Sequence, residues 1–174
     1  INSDDVNEYK LISNNNYKYV LISFYNRMTR GLILKRAFRL ITVTNELKIN
    51  SHFKKYSEKT SVFPNSIDFS RFPLTKKINN SDSIINLFFI GTPGQNWHGL
   101  DKIEKLIELL GKDYFIHIIG TRKDVEKNNI RYYGYLNYEE YSKIASKCNI
   151  AISTMAFHRL NINEACPLKT REYI

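Results

Sequence analysis

The fold class is decided by residues 84–120, which read IINLFFIGTPGQNWHGLDKIEKLIELLGKDYFIHIIG. The runs IINLFFI and YFIHII are apolar except for Asn86 and His117 and each is followed by a glycine, which is typical of strands buried on both faces. Between them, apolar residues repeat at the spacing of one helix face, at Ile103, Leu106, Ile107 and Leu110. A buried strand, an amphipathic helix and a second buried strand in this order predict two parallel strands joined by a helix.

The same alternation continues to the end of the chain. IRYYGYL (130–136) reads as a shorter strand, NYEEYSKIASKC (137–148) as a helix capped by Asn137, and NIAISTM (149–155) as another apolar strand. Pro167 then marks a helix start, because proline fits the first helical position. We therefore predict an α/β fold with a Rossmann-like, doubly wound parallel sheet covered by helices over residues 84–174.

A second strand–helix–strand pattern precedes this domain. Residues 17–38 have helical spacing and predict one helix, or two short ones broken near Gly31. RLITVT (39–44) and TSVFPN (60–65) read as strands on either side of a helix, NELKINSHFKKY (45–56). Turn-forming residues collect after residue 72. We predict a first domain within 1–72, a linker at 73–83 and a second domain at 84–174.

The composition favours an anionic partner. Lys and Arg number 26 against 17 Asp and Glu, for a net charge of +9, which suits a nucleotide, a nucleic acid or an acidic membrane face. Cys148 and Cys166 form no CxxC pair and the four histidines lack metal-ligand spacing, so we expect reduced thiols, no metal site and a cytoplasmic protein.

Ligands of open α/β sheets bind at the carboxyl ends of the strands. Four segments are predicted to lie there. They are the loop GTPGQNWHG (91–99), Gly120 with Thr121, Gly134 with Tyr135 and Leu136, and the segment from Glu164 to Glu172. Glycine after a strand is also ordinary turn chemistry. The GxGxxG and GxxxxGK[ST] patterns are absent, so neither a dehydrogenase nor a P-loop nucleotidase is supported.

The last of these segments, NINEACPLKTREYI (161–174), contains an electrostatic conflict. Lys169 and Arg171 follow the helix start at Pro167, where the helix dipole disfavours positive charge. Either both cations are solvated at a small cost, or a bound anion removes the conflict.

Several of these segments together resemble the retaining glycosyltransferases of the GT-B fold, family 4 (glycosyl transferases group 1). The resemblance covers about residues 39–174. Its most specific parts are VFPNSIDFSRF (62–72), which is similar to the interdomain signature of the family, and Glu164 and Glu172, which match its two glutamates separated by seven residues.

The resemblance implies two Rossmann-like domains, with the chain truncated at both ends. Residues 1–72 would be the tail of the acceptor domain and 84–174 the front of the donor domain. Such enzymes transfer a sugar from a nucleotide-diphosphate sugar to a saccharide or lipid-linked saccharide acceptor, with retention. They need no metal or cofactor, and family usage suggests polysaccharide biosynthesis at the inner face of the membrane.

The resemblance also assigns roles to residues. Glu164 would be the catalytic-site group that holds the sugar hydroxyls, and Glu172 would bind the ribose. The remaining residues would surround the diphosphate, the sugar and the base: Gly91, Thr92, His98, Gly120, Thr121, Gly134, Tyr135, Leu136, Pro167, Leu168 and Lys169. The family carries an arginine and a lysine on the loop after the first donor-domain strand, whereas this chain has only His98 there. We expect Lys169 to supply the charge, and the fragment alone to be inactive.

Two other functions compete with this interpretation. Tyr132, Tyr133 and Tyr135 beside Arg131 could stack bases in a non-catalytic nucleotide or nucleic-acid binding module, although aromatic residues in a strand more often pack. The basic helix at 17–38 could lie on an acidic membrane or pack on a neighbouring domain. We expect a sugar nucleotide and an acceptor as partners, with peripheral membrane association as a further candidate and no nucleic acid.

Overall fold

The computed structural model describes residues 9, 17–50, 52–70, 83–92, 94–120 and 124–173. The chain forms two compact units: the first takes in residues up to 65 together with 160–166, and the second takes in 66–159 and 167–174. Apart from residue 83, the predicted linker lies outside the described residues. The domain boundaries predicted from the sequence stay a prediction.

The described part of the first unit includes a long helix and a pair of parallel strands. Helix α1 (Tyr17–Arg36) runs without a break through Gly31. Strand β1 (Leu40–Thr42) pairs in parallel with β2 (Thr60–Val62). Helix α2 (Asn45–Ile49) lies between them, and the Thr44 hydroxyl accepts a hydrogen bond from the Leu47 N–H at 3.1 Å as its N-cap.

The helix predicted at 45–56 is shorter in the structure. It ends at Ile49, and a separate 3₁₀ helix spans Lys54–Lys59. Asn50 ends it by leaving helical geometry, with ψ of 150°. The core of the unit consists of apolar side chains from α1, β1 and α2 and from the residues that follow β1 and α2. These side chains are Leu34, Leu40, Val43, Leu47 and Phe53.

The second unit is built on a five-stranded sheet. Its strands are β3 (Ile85–Ile90), β4 (Tyr114–Ile119), β5 (Val125–Lys127), β6 (Ile130–Tyr133) and β7 (Ile150–Ala151). The sheet order is β5-β6-β4-β3-β7. Every pairing is parallel except that of β5 with β6, which is antiparallel. The hairpin strand β5 has no counterpart in the sequence prediction, since its three residues are all exposed and only Val125 is apolar.

In the described part of the second unit, three α-helices accompany this sheet. They are α3 (Leu100–Leu110), α4 (Tyr138–Ala145) and α5 (Leu168–Glu172), with 3₁₀ helices at Asn96–His98, Gly111–Asp113 and Phe157–Leu160. Ile103 and Ile107 of α3 pack with β3, β4 and β6 in one buried cluster. Asn137 and Glu140 form a capping box at the start of α4. The mixed α/β class with a mostly parallel, helix-covered sheet is confirmed, and it is compatible with a Rossmann-like fold.

Several boundaries of the second unit differ from the sequence prediction. Pro167 is the N-cap of α5, with φ −67° and ψ 138°, and the helix itself begins at Leu168. The apolar run at 149–155 contributes only two residues to the sheet. None of the described helices combines the length and the apolar character needed to cross a membrane.

Candidate functional site

Three of the predicted glycines lie next to one another at the carboxyl edge of the sheet in the second unit. The Gly91 N–H donates to the Ile119 carbonyl at 3.1 Å, and the Gly120 N–H donates to the Gly134 carbonyl at 3.0 Å. Gly120 has a φ of 81°, and a Cβ there would lie 2.7 Å from the Gly91 carbonyl oxygen. Gly120 therefore serves a packing role, because the ends of β3 and β4 approach too closely for a side chain.

The loop after β3 turns back on itself through His98. The Thr92 N–H donates to His98 Nε2 at 3.0 Å. At the end of the loop Gly99 has a φ of 71°, and a Cβ there would meet Met155 at 3.0 Å and Ala156 at 3.1 Å. The backbone of this loop is further tied to the segment after β7, since the Met155 N–H donates to the His98 carbonyl at 3.2 Å.

A second anchor of the loop was missed in the sequence. Arg159 donates to both carboxylate oxygens of Asp101, at 2.9 and 2.7 Å, and to the Asn96 carbonyl at 2.8 Å. Such a bidentate pair has a defined geometry as well as charge complementarity. The partners are 58 residues apart in the sequence, and no local motif connects them.

Lys169 lies at the end of β3, beneath the loop. Its Nζ donates to the Ile90 carbonyl at 2.9 Å and lies 4.0 Å from the centroid of the Phe89 ring. The same atom is 3.4 Å from Nδ1 of His98. Burial lowers the pKa of Lys169 to about 7, and burial together with Lys169 lowers the pKa of His98 to about 4. The structure thus joins three predicted residues, Thr92, His98 and Lys169, through contacts within one unit.

The rest of α5 is held against the same unit. The Ile90 N–H donates to the Tyr173 hydroxyl at 3.1 Å, and the hydroxyls of Ser153 and Thr170 are 2.9 Å apart. The Tyr141 hydroxyl donates to one carboxylate oxygen of Glu172 at 3.1 Å. Burial and the Glu172 carboxylate raise the pKa of Tyr141, which keeps that hydroxyl protonated and able to donate. The other oxygen of Glu172 accepts no hydrogen bond from the described part of the chain.

Glu164 belongs to the first unit, where it takes part in a reciprocal arrangement with Glu46. One Glu164 oxygen accepts the backbone N–H of Glu46 at 2.9 Å. In return, the Glu46 carboxylate accepts the N–H groups of Asn163 and Glu164, at 2.8 and 2.6 Å. Glu164 is an exposed residue. Sequence reasoning did not identify Glu46, which is 118 residues away.

For the remaining predicted residues, the structure gives the exposure of the side chain. Tyr135 is 94% exposed, Leu136 is half-buried and Leu168 is exposed. Thr121 lies outside the described residues.

Two tyrosines of the tyrosine-rich strand, Tyr132 and Tyr133, make contacts within the second unit instead of forming a surface for stacking bases. Tyr132 is 4% exposed and its hydroxyl donates to Glu104. Tyr133 and His117 are joined by a 2.8 Å hydrogen bond, and Arg131 forms an ion pair with Asp124 at 2.9 Å. Two of the three tyrosines therefore pack and bond within the unit, as aromatic side chains in strands usually do.

No known protein-family model matches this sequence, and no curated protein sequence matches it significantly. The residues of the site and the motifs of the sequence therefore have to indicate the function. Within the described ranges, no group of three or more His, Cys, Asp or Glu side chains could hold a metal ion.

Proposed function

We propose that this chain is part of a glycosyltransferase of the GT-B type, and that its second unit binds the nucleotide diphosphate of a sugar nucleotide at the carboxyl edge of the sheet. One observation carries the proposal. The part-buried amine of Lys169 lies at the end of β3, 3.4 Å from the His98 ring, and Glu172 lies one helical turn further along α5. A cation and a carboxylate held at this spacing suit a diphosphate and the ribose beside it.

The chemistry of each group fits its proposed role. A lysine amine within an enclosed site stabilises the charge that develops on a leaving diphosphate more strongly than a solvated one. Gly91 and Thr92 lie beside it on the loop. The Glu172 oxygen that Tyr141 leaves unoccupied can accept hydrogen bonds from two adjacent ribose hydroxyls. Tyr135 projects from the edge near Gly134 with most of its ring exposed, where it can stack on a base.

The type of reaction, the class of acceptor and the stereochemistry follow from the resemblance alone. On that basis the reaction transfers a sugar to a saccharide or lipid-linked saccharide acceptor with retention. The proposed reaction needs no cofactor.

The experiment measures thermal stability with uridine, guanosine and adenosine diphosphates. A nucleotide present at 100 times its dissociation constant should stabilise the protein by about 2.7 kcal/mol. Glu172→Gln should lose most of that stabilisation, because the neutral amide is a weaker acceptor for ribose hydroxyls. Glu139→Gln is the matched control, since Glu139 lies exposed on α4 in the same unit and its carboxylate forms an ion pair with Lys143. The proposal fails if no nucleotide stabilises the wild-type protein, or if both variants lose the effect equally.

Helix α1 supports a second candidate function, attachment to an anionic membrane surface. Five large apolar side chains follow each other at helical spacing and are 57–84% exposed: Tyr17, Leu21, Phe24, Met28 and Leu32. The opposite side of the helix meets the first core through Leu34 and through Arg30, which lies over the Phe53 ring. Residues 17–39 contain six cations and no acidic residue. An apolar stripe on a cationic helix is what an anionic interface attracts.

Vesicle flotation of the whole chain tests this candidate. The wild-type protein should float with vesicles that contain phosphatidylserine and stay behind with phosphatidylcholine alone. The double variant Leu21→Ser/Met28→Ser should lose flotation, because it removes apolar area from the stripe. Phe63→Ser, a change at an exposed aromatic elsewhere in the first unit, is the control. Absence of wild-type flotation, or equal loss in the control, would exclude this attachment.

A further inference from the structure

The loop after β3 determines where the proton of His98 resides. A backbone N–H can only donate, so the 3.0 Å contact from the Thr92 N–H requires a lone pair on His98 Nε2. A neutral imidazole with its lone pair on Nε2 carries its proton on Nδ1. That nitrogen is the one that lies 3.4 Å from the Nζ of Lys169.

The Nδ1 proton in turn constrains the lysine. An ammonium group has three donors and no lone pair. The hydrogens of a charged Lys169 would therefore face the imidazole N–H, and no hydrogen bond could form between the two groups. A neutral amine can accept a hydrogen bond from the Nδ1–H and still donate one to the Ile90 carbonyl at 2.9 Å. The network Thr92 N–H, His98 and Lys169 is therefore complete only with the lysine uncharged.

The other groups around Nζ have opposing effects on the charge of Lys169. The Phe89 ring and the Ile90 carbonyl of β3 favour a cation, whereas burial and the imidazole N–H oppose it. His98 is the only ionisable side chain that contacts Nζ among the described residues, and no described carboxylate forms an ion pair with it. Within α5, Glu172 is engaged by Tyr141. Burial prevails and lowers the pKa of Lys169 to about 7.

We propose that the ligand-free site holds Lys169 as a neutral amine hydrogen-bonded by His98, and that a bound diphosphate draws one proton from solvent onto Nζ. The choice of a diphosphate as ligand rests on the proposed function. The new N–H bond forms from the amine lone pair, and water or buffer loses the proton. The ammonium group then turns a donor toward the phosphate, and the Nδ1–H of His98 becomes available to a second phosphate oxygen.

This coupling gives the site a pH dependence of defined sign. Below pH 7 the lysine is already charged, and diphosphate binding is accompanied by little proton uptake. Above pH 7 each unit of pH should weaken diphosphate binding about tenfold, until the pH reaches the raised pKa of the bound lysine. The site would thus release its nucleotide as the pH rises.

Calorimetry with uridine diphosphate and with inorganic pyrophosphate tests the proton uptake at pH 8. The observed heat should change with the ionisation enthalpy of the buffer, with a slope close to one proton per site. Lys169→Arg is the matched control, because arginine keeps the charge and stays protonated throughout this range. It should bind with no buffer dependence and with the same affinity at pH 7 and pH 9. Lys112→Gln, at an exposed position, should behave as the wild type does.

A titration of the ligand-free protein separates this inference from the proposed function. Carbon-13 NMR of the lysine Cε atoms should show one resonance that titrates near pH 7 and that is missing in Lys169→Arg. Binding without proton uptake, together with a midpoint near 10.5, would overturn the inference and leave the nucleotide site standing. A titration midpoint of Lys169 near 7 with no binding of either anion would overturn the proposed ligand and the proton uptake. Of the inference, only the neutral state of Lys169 in the ligand-free protein would then stand.

Discussion

At the scale of single residues, Lys169 shows how burial and a local hydrogen bond can outweigh the usual preference of lysine for charge. Its Nζ lies between the Ile90 carbonyl and the His98 ring instead of in water. The cost of desolvating a cation makes the charged form of the folded protein less stable than the neutral one near pH 8.

Replacing Lys169 by methionine should stabilise the ligand-free protein at pH 6. The pKa of Lys169 is about 7 when folded against 10.5 when unfolded, so between these values the unfolded state binds the extra proton. The penalty is complete below pH 7 and fades as the pH approaches 10.5. We expect a gain of about 1–3 kcal/mol at pH 6 and a smaller gain at pH 9.5. Urea denaturation at the two pH values measures it; a gain that grows with pH would contradict the buried-amine assignment.

Gly120→Ala should be strongly destabilising. The residue has a φ of 81°, and its Cβ would lie 2.7 Å from the Gly91 carbonyl oxygen, which belongs to the backbone and cannot move aside easily. We expect a loss of about 2–4 kcal/mol. Gly94→Ala is the control: its φ of 75° is similar but a Cβ meets no atom of the described residues within 4 Å, so about 1 kcal/mol should be lost. Equal losses in urea denaturation would show that conformation alone, and not the close approach, explains the glycine.

At the scale of elements, α3 and α1 illustrate two different uses of apolar residues. Helix α3 places Ile103 and Ile107 in the core of the second unit, and its remaining faces carry charges such as Lys105 and Glu108, which pair at 3.1 Å. Helix α1 buries Leu34 and leaves most of its large apolar side chains exposed. The exposed stripe on α1 is the reason why attachment to a surface is a candidate function for the first unit.

Ile107→Ala should cost about 3 kcal/mol of unfolding free energy, because it leaves a cavity between α3 and the sheet. Leu109→Ala on the same helix should cost less than about 0.5 kcal/mol, since Leu109 is 74% exposed. The fluorescence of Trp97, the single tryptophan, follows the unfolding of this unit in urea. A small effect of Ile107→Ala would mean that the helix does not pack on the sheet as described.

At the scale of the whole molecule, the net charge of +9 has to be distinguished from a specific anion site. A general cationic surface binds many phosphates at once and releases many counterions. One diphosphate held by Lys169 and His98 engages few charges. The two kinds of binding therefore differ in their dependence on salt.

Uridine diphosphate binding should weaken by less than about tenfold between 50 and 200 mM salt at pH 7. A protein that neutralises 6–10 phosphates loses roughly 10³–10⁵ in affinity over this range. Fluorescence titration at both salt concentrations measures the difference, and a 20-nucleotide single strand serves as the comparison ligand. A steep salt dependence for the nucleotide, parallel to that of the strand, would favour non-specific binding of polyanions.

Local signals in the sequence were sufficient for the class of fold. Mostly apolar runs at 84–91 and 114–120 predicted parallel buried strands, and β3 and β4 pair in that way. Asn137 was recognised as a cap because its contacts span only three residues. The alternation of elements also predicted that Gly91, Gly120 and Gly134 meet at one edge. These features depend on periodicity and on short-range hydrogen bonds, which a linear sequence displays directly.

The contacts that define the site needed the tertiary structure. Lys169 meets the Ile90 carbonyl across 79 positions, Arg159 meets Asp101 across 58, and Glu46 meets Glu164 across 118. The sequence alone placed Lys169 at a helix start and left its charge unexplained. Its proximity to a histidine whose proton points toward it depends on the folding of the loop after β3. A pKa is set by burial and neighbours in three dimensions, and for that reason only the folded chain determines which form of the lysine meets a ligand.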